Sequence, residues 1–314
     1  MPLLRFLPEA TNINFIGVRY YAFAFDGLLL LVSIISIAIH GFNLGIDFTG
    51  GAEMQVKSAY TISDGELAKV RREVTGLGYN DQSIQTIGGG TCQKPANSCI
   101  LIRVQPKANQ DGNAAKLEIQ NKLGSGYSVL SSQVIGPKVS HELFQSGVWA
   151  TILAIIAIAI WVAVRFEWQY GISAAICTGH DVFVTAGMFS VLHMDFTLTS
   201  IAALLTLAGY SINDTVVVFD RIRENRRKYK RMPLADLINL STNQMLTRTI
   251  LTSAATAISI IPLLIYVPAL SEFTGAILFG IVVGTASSTY VASALLLYLP
   301  APAGAIDTPV PVNP

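Results

Sequence analysis

Six apolar runs divide this chain: Tyr21–His40, Ser146–Val164, Tyr170–Leu192, Phe196–Phe219, Met245–Val267 and Phe273–Leu299. Each is close to the ~20 residues an α-helix needs to cross a bilayer core about 30 Å thick. The pattern therefore predicts six membrane-spanning helices. The first run starts late, lacks a short apolar core with a small-residue cleavage site, and leads into a folded-looking segment. It reads as an anchor rather than a removable signal peptide.

Residues 41–145, between the first two runs, are soluble in character. Strands are predicted at Ala52–Lys57, Gln82–Ile87, Ile100–Val104 and Tyr127–Ile135, and helices at Ser63–Leu77 and Ala114–Leu123. Ser63 followed three residues later by Glu66 is a capping-box signal for the start of the first helix. The order βαββαβ is that of a ferredoxin-like module. About 100 residues suffice for one small core. Residues 1–20 read as an interfacial segment. Residues 300–314, rich in Pro and Ala with no hydrophobic period, read as a disordered tail.

Composition sharpens this picture. Of 314 residues 52% are hydrophobic and only 13% charged, against about 25% charged in a soluble domain. The mean hydropathy is +0.51. A net charge of +1 says little, because the charge is unevenly placed. Seven basic residues (Arg221, Arg223, Arg226, Arg227, Lys228, Lys230, Arg231) crowd the loop of about residues 221–244, between the fourth and fifth runs. Arg165 follows the second run, and Arg5 and Arg19 precede the first, whereas His193–Asp195 and Pro268–Glu272 hold no Lys or Arg. The excess of Lys and Arg in short cytoplasmic loops then predicts cytoplasmic termini and a large first loop outside.

Polar groups inside the apolar runs are the candidate chemistry, since each costs several kcal/mol without a partner or a water path. Asp214 lies about six residues, or ~9 Å, into the fourth run. Arg248 lies about one turn into the fifth from the same side. An Asp214–Arg248 pair is geometrically reasonable, and protonating its carboxylate would break it; the alternative is a static ion pair that fixes packing. His180 and Asp181 sit near the middle of the third run, as relay members or as partners of neighbouring helices. Asp220, at the membrane boundary before Arg221 and Arg223, reads as an interfacial ion-pair partner, with a relay role second.

Cys92 and Cys99 close a short polar loop, which suits either a disulfide in an oxidising compartment or two free thiols. No Cys-x-x-Cys metal pattern occurs. Gly45, Gly50 and Gly51 bracket Asp47 and Thr49. A phosphate loop would need a Lys and a following helix, so a tight turn leading into the first strand is the better reading.

At Gly45-Ile-Asp-Phe-Thr-Gly-Gly51 the chain resembles the SecF branch of the SecD/SecF family of the bacterial protein-export translocase. Ile135-Gly136-Pro137-Lys-Val139 with Glu142-Leu143, Gly209 through Asn225, and Arg248-Thr-Ile-Leu-Thr-Ser253 agree with it, in the expected order. The resemblance covers nearly the whole chain, but not the Pro-rich tail or the cysteine loop.

What the resemblance implies is a six-span half that pairs with a SecD half into a twelve-span transporter of the RND type. It implies association with the SecYEG channel and the YajC protein in the inner membrane. The complex would use the proton-motive force to draw unfolded preproteins out after the ATP-driven step. Protons would be the coupling ion, with no cofactor, no metal and no enzymatic activity. The family's membrane acid and arginine carry over onto Asp214 and Arg248. Two alternatives remain. One is an RND-type exporter half for lipids or drugs. The other is an intramembrane aspartyl protease using Asp181 and Asp214, although its Tyr-Asp and Gly-Leu-Gly-Asp motifs are absent.

Overall fold

A computed structural model describes residues 11–79, 82–87, 92, 98–107, 110–267 and 270–300. The interfacial reading of residues 1–20 and the disordered reading of the tail fall largely outside these residues. In chain order the elements are α1 (Arg19–His40), β1 (Asn43–Leu44), α2 (Ile46–Thr49), β2 (Gly51–Ser58), α3 (Asp64–Gly76), β3 (Gln82–Ile87), β4 (Cys99–Val104), α4 (Gly112–Leu123) and β5 (Tyr127–Ile135). There follow α5 (Pro137–Arg165), α6 (Trp168–Val191), β6 (Asp195–Phe196), α7 (Leu198–Lys228), α8 (Leu234–Tyr266), α9 (Ser271–Ala286) and α10 (Ser293–Leu295). A π-helical turn, Ser287–Ala292, joins the last two.

Strands β2 to β5 form one antiparallel sheet in the order β3-β4-β2-β5. With α3 and α4 between them this is the ferredoxin-like arrangement. Its core places Met54, Val56, Ile100 and Ile102 from the sheet against Val70, Val74, Ala115 and Ile119 from the helices. The capping box starts α3: Ser63 Oγ accepts from Glu66 N at 3.3 Å, and Glu66 Oε2 accepts from Ser63 N at 3.1 Å. Two orphan backbone donors are satisfied at once.

Among the described residues six helices are long and apolar enough to cross a membrane. Their apolar side chains face outward on α1 (Leu28, Leu31), α5 (Ile156, Ile160) and α8 (Ile258, Ile265), as expected where lipid replaces water. Helices α6, α7 and α9 form the interior. Small residues let α1 approach α6. A Cβ on Gly187 would lie 2.9 Å from the Ser33 Cα, and Ser36 and Ser190 share a 2.9 Å hydrogen bond between their hydroxyls.

Three helices begin or end where hydropathy alone does not place them. Helix α5 starts at Pro137, nine residues before the apolar run, with Gly136 as N-cap; a proline at the first helical position costs no hydrogen bond. Helices α7 and α8 extend past their apolar runs to Lys228 and from Leu234, giving a short basic connection. The sixth run is interrupted by the π turn.

The Gly45–Gly51 stretch is more than a tight turn. It follows directly on β1, which pairs in parallel with β6 of the α6–α7 connection, and it contains the single helical turn α2. Gly51, at φ 129°, lies so close to β4 that a Cβ would sit 2.6 Å from the Val104 carbonyl oxygen. Only glycine fits there. At the other end of the bundle, Thr11–Ile16 lies along the start of α8. Asn243 Oδ1 accepts from Ile13 N at 2.8 Å, and Asn239 Oδ1 accepts from Ile16 N at 2.9 Å.

Candidate functional site

Asp214 is buried in the middle of α7. Its Oδ1 accepts from Thr249 Oγ1 of α8 at 2.8 Å, and its Oδ2 from Ser288 Oγ of the π turn at 2.8 Å. The π turn widens the helix by one residue. It directs Ser288 to Asp214 and its neighbour Ser287 to the Cys177 thiol of α6, 2.6 Å away. Such π insertions often mark functional sites. A second hydroxyl series, Tyr210–Ser253–Thr285, links α7, α8 and α9 at 2.8 and 2.7 Å.

The Asp214–Arg248 ion pair is not made. Both carboxylate oxygens are taken by hydroxyls, and among the described residues no cation lies within 4 Å of Asp214. Arg248 is exposed on α8. It lines a pocket of about 530 Å3 with Asp220, Arg221, Glu224 and Arg165. The reason is helical geometry: successive residues lie about 100° apart around the axis, so Thr249, not Arg248, faces α7. The antiparallel spans bring the right turns together, and the rotation of α8 decides which side chain is used. Asn213 is likewise exposed next to buried Asp214.

His180 and Asp181 form a separate centre. Asp181 Oδ1 meets His180 Nδ1 at 3.1 Å, and its Oδ2 accepts from Ser211 Oγ at 2.6 Å. His180 Nε2 contacts the Asp26 carbonyl oxygen at 3.2 Å. Ser211 lies one turn from Asp214 on α7, so Asp181 of α6 meets α7 one turn away from Asp214. Among the described residues the two carboxylates share no hydrogen-bond partner. Asp220 is exposed and makes no ion pair among the described residues, contrary to the interfacial reading; Arg221 pairs instead with Glu224 at 2.5 Å.

Several contributors escaped the sequence reading. Asp26, buried on α1 with an unpartnered Oδ2, sits beside His180. Its charge in an apolar run was a usable signal. Thr249, Ser287 and Ser288 were not, because hydroxyls inside spans commonly bond their own helix backbone.

The glycine motif lies on the other side of the bundle from Arg248. Asp47 Oδ2 accepts from Leu198 N at 2.9 Å, capping α7, and Thr49 Oγ1 donates to the Gly45 carbonyl at 3.2 Å. Cys92 and Cys99 are joined as a disulfide with Cα atoms 5.4 Å apart.

The comparisons with known proteins agree with this architecture. The family described as "Protein export membrane protein SecD/SecF, C-terminal" matches residues 116–301, and the "SecD/SecF GG Motif" matches residues 35–59. The chain is 37% identical over 310 residues to the protein translocase subunit SecF of Rhodobacter capsulatus, covering 94% of this chain and 91% of the relative. It is 36% identical over 302 residues to the SecF of Vibrio alginolyticus, covering 95% and 93%. The crystal structure of SecDF, a translocon-associated membrane protein from Thermus thermophilus, superposes with a TM-score of 0.82 at 34% identity, over 93% of this chain. This chain spans 39% of that SecDF chain. SecDF in a super-membrane-facing form gives a TM-score of 0.65. The chain belongs to the SecD/SecF family.

Proposed function

We propose that this chain is an auxiliary subunit of the Sec preprotein translocase. It works with a SecD-type half and couples the proton-motive force to the late stage of export across the inner membrane. Asp214 is the proton-binding group and Arg248 its electrostatic counterpart. Both termini lie in the cytoplasm and the ferredoxin-like domain in the periplasm. SecYEG and YajC are the further partners.

The observation that carries this reading is the placement of one acid and one arginine on adjacent spans. Asp214 is buried between two hydroxyls, while Arg248 and Asn213 are exposed on the same part of α7 and α8. A charged side chain facing lipid is costly. A protein partner against this face removes the cost, and the SecF and SecDF relatives point to a SecD-type half. Adding a proton to Asp214 removes its charge. The Thr249 and Ser288 hydroxyls, which donate to a carboxylate, must then share it with an acidic hydrogen. That difference between two states is what a proton-driven change requires. His180, Asp181 and Asp220 are secondary members of the path.

The test is late-stage preprotein translocation into membrane vesicles at matched protein levels, with and without a proton gradient. Asp214→Asn abolishes the gradient-dependent stimulation. Full stimulation in that variant sends the search to Asp181.

A further inference from the structure

Among the described residues the external domain is tied to the bundle by two chain crossings, by the β1–β6 pair and the Asp47–Leu198 bond at the first crossing, and by a side-chain joint reaching the sheet itself. The centre of that joint is Asp195 of β6, 6% exposed. Its Oδ1 accepts from Asn43 Nδ2 of β1 at 2.5 Å. Its Oδ2 accepts from Arg103 Nη1 of β4 at 2.6 Å. Its backbone N–H donates to Glu272 Oε1, at the start of α9, at 3.1 Å. Arg103 in turn donates from Nε to Glu53 Oε2 of β2 at 2.6 Å. One guanidinium thus binds a carboxylate of the sheet and a carboxylate of the bundle at once. Its side chain is only 14% exposed.

This position has mechanical consequences. Asp195 lies three residues before α7, whose first N–H is held by Asp47. From Leu198 to Asp214 the helix runs 16 residues, or ~24 Å. A long helix is stiff, so a tilt or shift at the level of Asp214 moves its outer end and carries Asp195 with it. A buried ion pair adds little net stability, because desolvation offsets attraction, but it is costly to break and fixes a single geometry. The fork of Arg103 holds that geometry on two sides, which a single ammonium cannot do.

We propose that Arg103 is a positioning residue: through Asp195 it makes the external sheet follow the outer end of α7. This rests on the reading that proton binding at Asp214 moves α7. Without the Arg103 contact the domain keeps its two chain crossings, the β1–β6 and Asp47 bonds at the first of them and its apolar contacts, but the centre of the sheet loses its direct link to the start of α7.

The test uses vesicles that contain the full chain with its SecD-type half, and two readouts. One is proton uptake driven by an imposed gradient; the other is gradient-stimulated completion of preprotein export. Arg103→Gln and Asp195→Asn are expected to keep proton uptake and lose the export stimulation. Arg103→Lys should recover part of it. Full stimulation in both Arg103→Gln and Asp195→Asn overturns the proposal. Asp214→Asn in the same vesicles separates the two levels: full stimulation there overturns the coupling reading itself. If Arg103→Gln lowers the amount of folded chain, an Arg103→Cys, Asp195→Cys pair serves instead. Joining that pair with a short bifunctional maleimide should restore stimulation relative to the unjoined pair, and no gain on joining overturns the proposal.

Discussion

Thr249 on α8 donates a 2.8 Å hydrogen bond to the Asp214 carboxylate on α7, from the position next to Arg248. The arginine itself turns outward into a pocket shared with Asp220. The acid is thus held by neutral donors, and its counter-charge stands one residue away on the open face of the half.

This arrangement separates the roles of three side chains. Asp214→Asn keeps shape and removes the ionisable group; it should assemble normally and lose gradient-stimulated export. Thr249→Val leaves Ser288 as the one remaining donor. It should cost about 1–3 kcal/mol of stability, the range for a buried acceptor deprived of a partner, with partial loss of stimulation. Asp220→Asn, at an exposed site with no ion pair among the described residues, should be milder than either. Translocation into vesicles at matched protein levels checks all three.

Topology is tested by reporter fusion. A reporter active only in the periplasm should work after Pro106, in the external domain, and fail after Arg231, in the basic connection. The reverse pattern would invert the assigned direction of proton flow.

The Cys92–Cys99 disulfide predicts that both thiols resist alkylation in membranes until a reductant is added. Closing an eight-residue loop contributes about 2–3 kcal/mol in the chain-entropy treatment. Export should survive a Cys92→Ser, Cys99→Ser double variant, because both cysteines lie outside the two stretches that match the family, residues 35–59 and 116–301. Labelling of both thiols without reductant would remove the bond.

The external domain carries its own pH limits. Glu118 accepts from the Tyr79 hydroxyl at 2.7 Å, Gln110 Nε2 at 2.9 Å and Lys107 Nζ at 3.0 Å. These donors, Tyr79 first, hold its carboxyl down at about 2. Burial, then the bond to Glu118, pushes Tyr79 up to about 12. Unfolded Glu and Tyr titrate near ~4.3 and ~10. The Glu118 contribution to stability is therefore complete above ~4.3 and is lost as the pH falls towards 2. The Tyr79 contribution is complete below ~10 and is lost as the pH rises towards 12. Glu118→Gln should flatten the acid limb by lowering stability at neutral pH, where the carboxylate's contribution is complete, and leave strongly acidic pH nearly unchanged. Acid unfolding followed by intrinsic fluorescence measures it.

Gly51→Ala should destabilise the junction of the external domain with the bundle. The new methyl would meet the Val104 carbonyl oxygen at 2.6 Å, and φ 129° is unfavourable for any L side chain. Backbone against backbone has no flexible end to move aside. A cost of about 1–3 kcal/mol is expected for the strained conformation, read as a lower yield of folded chain. Gly124→Ala, at positive φ but with open space around it, should cost less.

Hydropathy alone located the spans, because a bilayer imposes a length and a polarity that leave few alternatives. The succession of strand and helix signals, with the Ser63–Glu66 cap, pointed to the order βαββαβ, because those signals are local. The family motifs singled out Asp214 and Arg248. What the sequence could not supply was rotation and distance. Whether Arg248 or Thr249 meets Asp214 depends on about 100° of turn around α8, set by packing against α7 and α9 rather than by any local preference. The hydroxyl-rich run Ser287–Tyr290 marks the π turn only as polar, since hydroxyls inside spans commonly bond their own helix backbone and do not specify the turn. The joint of Asn43, Arg103, Asp195 and Glu272 assembles residues up to 229 positions apart, counting from Asn43 to Glu272. No local rule links them, and only the folded chain brings their charges to one point.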